Sequence, residues 1–390
     1  MDIRLCANEL EPELTLLRHT FHQTPELGLQ EFETTNQIAR QLTSWGIPYH
    51  RLEPTGIIAE LSCQKPGKTI VMRAEIDALP IHEATGLSYA SKFPGKMHAC
   101  GHDMHIAMLL GAAKILKSMQ DQLEGTVRFL FQPAEEIAKG ARLSIEQGCI
   151  TGADAFFGLH VLPEKPIGAI GVQSDACMAA SANFTIIVRG TAAHGASPQE
   201  GVDATLAASA VVMALQSIVS RRVSPQAPLV ITIGRFESGS AANVPSSEAR
   251  LMGTCRYFDP ALGDLLPTLL ESTAAHAAAA YGATVEVSYD RTTQAIFNHP
   301  LLCEIGRRAA EKILAPGDSL FSFPPSMGSD DFGEYSALIP AAFFLIGAGG
   351  HGPNHNESFW VDDRAIPAGA ALYAQFAIDA LYNLKNFPGE

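Results

Sequence analysis

Thr126-Val127-Arg128-Phe129-Leu130-Phe131-Gln132-Pro133-Ala134-Glu135-Glu136 joins an apolar run to two adjacent carboxylates across a proline. Residues 126–131 are short, rich in β-branched and aromatic side chains and closed by a turn residue, which predicts a buried strand. Adjacent residues leaving a strand point in different directions, so one carboxylate can bind a metal ion while the other faces a bound water. An isolated Glu pair is usually a solvated turn. Directly after a buried strand it lies where open α/β sheets gather their ligands.

Runs of the same kind occur at 69–73, 155–159 and 341–346, with helical patterns at 9–22, 34–45, 104–119 and 365–384. This alternation predicts an α/β fold with a mainly parallel sheet covered by helices. A different rhythm occupies roughly 180–290. A strand (184–189), a helix (203–220), two strands (229–237 and 248–258), a helix (262–281) and a strand (284–289) give the β-α-β-β-α-β order of a ferredoxin-like α+β unit. That segment holds no candidate metal ligand. It therefore reads as an insertion, 179–291, into a discontinuous catalytic domain of 1–178 and 292–390. A chain of 390 residues is long enough for two such domains.

The densest chemistry lies in Met97-His98-Ala99-Cys100-Gly101-His102-Asp103-Met104-His105, where a thiol and an imidazole stand two residues apart just before the helix expected near Met104. A helix N-terminus is expected to lower the Cys100 pKa and favour the thiolate. His98 and His105 are expected to be supporting residues. His160 ends the run 155–159, and His355 lies in His351-Gly352-Pro353-Asn354-His355-Asn356-Glu357, after the run 341–346. Cys100, His102, Glu136, His160 and His355 make a candidate two-metal donor set, with Glu135 as its general base. Thiolate, imidazole and carboxylate together favour Zn²⁺, Mn²⁺ or a similar borderline ion over Mg²⁺ or Ca²⁺.

Several classes are excluded by composition. A formal charge of −14, offset by no basic cluster larger than a pair such as Arg221-Arg222, argues against nucleic-acid binding. Seven cysteines with no Cys-x-x-Cys pair read as reduced thiols. The most apolar stretch, 204–219, is broken by Ser209 and Gln216 and falls short of the ~20 residues a membrane span needs, so no membrane partner is expected. Glu9, Glu11 and Glu13 near the N-terminus do not fit a secretory signal, and a cytoplasmic location is expected.

These motifs resemble the two-metal aminoacylase and carboxypeptidase superfamily, in particular its amidohydrolase branch of hippurate hydrolases, indole-acetyl-amino-acid hydrolases and N-acetyl-diaminopimelate deacetylases. The resemblance runs from His22 and Pro25-Glu26-Leu27-Gly28 through Arg73-Ala74-Glu75-Ile76-Asp77-Ala78-Leu79-Pro80 and the metal motifs. It ends in Gly328-Ser329-Asp330-Asp331-Phe332 and His355-Asn356-Glu357. It implies hydrolysis of N-acyl amino acids to a carboxylic acid and a free amino acid, by two divalent ions, Zn²⁺ or Mn²⁺, with Co²⁺ or Ni²⁺ also open. Cys100, His102, Glu136, His160 and His355 match the ligand positions and Glu135 matches the base. The resemblance further implies that the inserted domain is a lid that forms a homodimer, and that His194 and Asn243 bind the substrate's carbonyl or carboxylate. Arg256 could pair with a substrate carboxylate.

Two departures stand out. Glu75 occupies a position more often Asp, which leaves Asp77 as the firmer supporting carboxylate, and Ala192-Ala193-His194-Gly195-Ala196 replaces a more usual Gly-Gly-His-Ala-Ala. Three alternatives remain open: a metallo-carboxypeptidase or dipeptidase acting on short peptides, a thiol hydrolase with Cys100 as nucleophile and His102 or His160 as base, and a noncatalytic scaffold.

Overall fold

The computed structural model describes residues 1–385, so the end of the 292–390 segment lies outside the described residues. Two compact units emerge. The first comprises Met1–Cys177, Phe297–Pro324 and the chain from Asp330 on; the second comprises Met178–Ile296 with Pro325–Ser329.

In the first unit an eight-stranded sheet runs in the order Tyr49–Arg51, Ile57–Ser62, Glu124–Gln132, Lys65–Glu75, Ala155–Leu162, Ala341–Gly347, Ala169–Gly171, Ser319–Phe321. The four central strands, from Glu124–Gln132 to Ala341–Gly347, pair in parallel. Antiparallel pairing appears where Ile57–Ser62 joins Glu124–Gln132 and where Ala341–Gly347 meets Ala169–Gly171. Central strands read as continuous apolar runs because neither face meets water: Ile70 to Glu75 and Phe129 to Gln132 are buried without a break.

Helices Ile3–Gln23, His102–Ser118 and Ile366–Lys385 pack on one another, and the last two also pack on the strand Lys65–Glu75. His102–Ser118 is buried on nearly every side, from His102 through Ala113, as expected of a helix at the centre of a core. Ile3–Gln23 begins six residues before the 9–22 pattern. The Asp2 carboxylate accepts the Leu5 N–H at 3.0 Å, and that cap starts the helix at Ile3, where Ile3 and Ala7 are buried.

The second unit holds a four-stranded antiparallel sheet in the order Thr284–Thr293, Ala180–Arg189, Glu248–Tyr257, Leu229–Ser238. Helices Ala204–Ser217 and Pro260–Ala279 pack together and on that sheet. Asp203 and Asp259 cap them, accepting N–H groups from Thr205 and Ala261. Residues Ala204–Arg222 form a helical stretch of 19 residues, long and apolar enough by length and composition to cross a membrane. One side of it, through Ala204, Ala207, Ala208, Val211 and Leu215, is buried.

Candidate metal centre

Because the four central strands are parallel, their carboxyl ends meet at one edge of the sheet, and chemistry-bearing residues leave from that edge. Asp77 follows Lys65–Glu75, Glu135 and Glu136 follow Glu124–Gln132, and the 348–360 loop follows Ala341–Gly347. His160 lies inside its strand rather than beyond it: Val161 and Leu162 continue the pairing with Ile346 and Gly347. His102 is the first residue of its helix, two positions before the start expected near Met104. Gly101 caps that helix in the left-handed region at φ 93°. Ala134, with φ 55°, makes the tight turn that separates Glu135 and Glu136 from the strand.

The five candidate donors come together. Ligand atoms of Cys100, His102 and His160 lie within 4.8 Å of one another, and so do those of Cys100, Glu136 and His355. Cys100 belongs to both groups. A third group joins His102 to Glu135 and Glu136.

Hydrogen bonds set the tautomers. His102 Nδ1 is 2.9 Å from the Asp77 carbonyl oxygen, which can only accept, so Nδ1 carries a proton, and against the effect of burial the contacts with Asp77 and Cys100 hold the imidazole well above its ordinary pKa. His160 Nδ1 likewise donates to the Val161 carbonyl at 2.8 Å, leaving Nε2 3.3 Å from Cys100 Sγ. Asp77 braces two donors at once, since its Oδ2 accepts the Glu136 N–H at 3.0 Å. His355 is itself left-handed at φ 65°, places Nε2 3.3 Å from Glu136 Oε2, and ties its loop to the cysteine segment through an N–H bond to the Ala99 carbonyl.

Whether metal ions fit can be judged from what these atoms lack. His102 Nε2, Glu136 Oε1 and Asp77 Oδ1 are buried without a hydrogen-bond partner. Such atoms cost ~1–3 kcal/mol each unless something pairs with them. Burial, with Asp77 beside it, pushes the Glu136 carboxyl up to about 7 against the pull of His102. Burial and the neighbouring Asp330, Glu136 and Asp331 carboxylates hold Glu135 well above the usual range. The His160 imidazole is driven down to about 3 by burial and by His105. Crowded carboxylates, imidazoles and a thiol suit divalent cations of borderline softness.

Cys100 departs from expectation. Burial pushes its thiol up, and Glu136 and Glu135 add to this against His102, so the helix N-terminus does not prevail. Desolvation of a fully enclosed sulfur outweighs a partial dipole charge. Burial raises the Cys100 thiol and lowers the His160 imidazole, which disfavours a thiolate–imidazolium pair between these two residues; His102, held above its ordinary pKa, is the imidazole that favours the Cys100 thiolate.

Two groups of residues were invisible as partners in the sequence. The Asn354 amide donates to Cys100 Sγ at 3.6 Å, although an Asn after Gly-Pro reads only as a turn residue. Arg73, fully buried, contacts Glu75 and donates to Asp330 and Asp331 at 3.0 and 2.8 Å, and these two carboxylates lie close to Glu135. The Asp330-Asp331 motif carried the resemblance, but no spacing rule links it to Glu135, far earlier in the chain.

His194, Asn243 and Arg256 belong to the second unit. His194 is exposed, its Nδ1 accepts the Ala196 N–H at 3.0 Å, and the next residue, Gly195, donates to the Asn243 carbonyl at 2.8 Å. Arg256 is half-buried and donates to Ser329 Oγ, and among the described residues no carboxylate pairs with it.

A cluster of candidate cation donors beside the Glu135 carboxylate, at the carboxyl edge of a parallel sheet, fits a metal-dependent hydrolase acting on amides. Residues 71–379 match Peptidase family M20/M25/M40, and the chain belongs to that family. It is 36% identical over 374 residues to an N-acetylcysteine deacetylase of Bacillus subtilis, covering 95% of this chain and 97% of that protein. It is also 36% identical to the IAA-amino acid hydrolase ILR1-like 6 of Arabidopsis thaliana, over 96% of this chain and 83% of that one. Among solved structures, the YXEP protein of Bacillus subtilis, described as a dinuclear metal binding peptidase from the M20 family, matches with a TM-score of 0.85 and 34% identity. That match covers 96% of this chain and 99% of the other.

Proposed function

We propose that the protein hydrolyses the amide bond of N-acyl amino acids, releasing a carboxylic acid and a free amino acid. Two divalent ions, Zn²⁺ or Mn²⁺, would be held by Cys100, His102 and His160 on one side and by Cys100, Glu136 and His355 on the other. The observation that carries this reading is the sharing of Cys100 by two donor groups directly beside Glu135. The Bacillus subtilis and Arabidopsis thaliana relatives, by their names, both act on an amino acid acylated at nitrogen, which supports the substrate class.

When bound, such ions lower the pKa of a water and polarise the scissile carbonyl. Glu135 then takes the water's proton and returns it to the leaving amine. Its carboxylate neighbours raise its affinity for that proton, which suits a group that must carry it between the two steps. Arg256, which lacks a carboxylate partner among the described residues, is assigned to the substrate carboxylate, and His194 with Asn243 to its carbonyl or carboxylate. The segment Met178–Ile296 would serve as an inserted lid and as the contact of a homodimer, and the enzyme would work in the cytoplasm.

A short-peptide carboxypeptidase is the second reading, because thermostable carboxypeptidase 2 of Saccharolobus solfataricus is 33% identical over 95% of this chain. The deciding experiment strips the protein with a chelator, restores it with Mn²⁺, Zn²⁺ or Co²⁺, and screens N-acetyl, benzoyl and indole-acetyl amino acids against dipeptides. Activity lost on chelation and recovered on N-acyl amino acids is expected. Turnover that ignores the chelator, or dipeptides cleaved in preference, would overturn the proposal.

A further inference from the structure

His105 falls in a group with Glu75 and His102 whose atoms are close enough to hold a cation, yet both of its ring nitrogens are already engaged. Its Nε2 accepts the Val161 N–H at 3.0 Å. An acceptor at Nε2 puts the proton on Nδ1, which lies 2.8 Å from Glu75 Oε2 and donates to it. Glu75 in turn contacts Arg73, and Glu75, Arg73 and His105 all have no exposed surface.

The chain of contacts continues past His105. The peptide whose N–H it binds belongs to Val161, and the Val161 carbonyl accepts the Nδ1 proton of His160. The His105 and His160 rings also pack edge to face, with centroids 4.7 Å apart. Four links therefore run from a strand-end carboxylate to a donor nitrogen: Glu75 fixes the His105 tautomer, His105 fixes the Val161 backbone, Val161 fixes the His160 ring, and the ring aims Nε2 at Cys100. His102 and Glu136 take their bracing from Asp77, by a separate route.

We infer that Glu75 and His105 are positioning residues that act through Val161 on His160, and so set the affinity of the one cation held by Cys100, His102 and His160. The cation of Cys100, Glu136 and His355 is independent of them. This rests on the two-cation reading above. It gives Glu75 a specific length requirement. Aspartate at this position withdraws the carboxylate by about one C–C bond, ~1.5 Å, and breaks the 2.8 Å contact, whereas glutamine keeps an oxygen able to accept from Nδ1.

The test is calorimetric titration of the chelator-stripped protein with Zn²⁺, supported by metal counting by mass spectrometry and by melting of the stripped protein. Wild type is expected to bind two ions per chain. Glu75→Asp and His105→Ala should each weaken one binding event by about 10–100-fold and leave the other within threefold, while Glu75→Gln, which keeps the acceptor oxygen, retains both. Should Glu75→Asp fail to fold, His105→Ala reads the same link. Variants that bind both ions as wild type does, or that lose both together, would overturn the inference alone. A wild-type protein that binds fewer than two ions would overturn the two-cation reading, and this inference with it.

Discussion

Glu135 stands among Asp330, Asp331 and Glu136, whereas the neighbouring Glu136 has its backbone held by Asp77 and its carboxylate facing His102 and His355. On the proposed function, one peptide bond separates the proton carrier from a cation donor. Glu135→Gln is expected to keep both ions and to lower kcat by about 10²–10⁴-fold, while Glu136→Ala loses an ion. A Glu135→Gln enzyme retaining more than a tenth of wild-type kcat would move the base elsewhere. Glu31 offers a test of stability rather than rate. It is fully buried, accepting the Ala134 N–H at 2.8 Å and the Thr55 hydroxyl at 2.6 Å, and burial pushes its carboxyl up to about 7. A folded-state pKa above the unfolded one means that stability is full below pH ~4.5 and falls as pH rises to 7, by at most about 3 kcal/mol. Glu31→Gln can make both contacts without a charge. The stability difference between variant and wild type should therefore grow in the variant's favour from pH 5 to 7, and parallel denaturation curves across that range would refute it.

The helix His102–Ser118 delivers His102 to the cluster, and its start depends on Gly101. At φ 93° a side chain is strained, and a Cβ there would lie 2.4 Å from Val161 Cγ2, beside His160. Gly101→Ala is expected to cost about 2–4 kcal/mol in chemical denaturation and to weaken cation binding, because both the helix start and Val161 must shift. A loss under 0.5 kcal/mol with unchanged binding would show that the junction yields freely. Ala341–Gly347 was legible in the sequence because burial on both faces leaves an apolar run, and Glu124–Gln132 because it alternates before ending in the buried run Phe129 to Phe131. Tyr49–Arg51, Ala169–Gly171 and Ser319–Phe321 were not, since three residues carry no period; the first exists through pairing with the strand that follows it, the other two through pairing with strands far along the chain. That Cys100, His102, Glu136, His160 and His355 would gather was legible from their chemistry and from the turns that hold them. What orients them was not: Asn354 lies 254 positions from Cys100 and Asp330 lies 257 from Arg73, and such contacts are products of the fold.

Across the whole molecule, the second unit leaves apolar surface that its own sheet and helices do not cover. The strand Leu229–Ser238 is an edge of the four-stranded sheet and exposes Val230 and Phe236. In the helical stretch Ala204–Arg222 only 33% of the apolar window is buried, and Leu206 and Met213 are exposed at 54% and 73%. An open strand edge beside exposed apolar side chains invites pairing with a second copy, and a two-fold axis would let the same strand and helix face meet themselves. Sedimentation at micromolar concentration is expected to give twice the 41.6 kDa chain mass. Phe236→Glu combined with Met213→Glu should give a monomer whose melting temperature changes little, because both side chains already face outward in the single chain. Wild type sedimenting as a monomer would remove the dimer. The monomeric variant also decides where His194 acts: full kcat keeps every reacting group within one chain, whereas a folded monomer that binds both ions and turns over slowly requires His194 to be supplied across the two-fold axis.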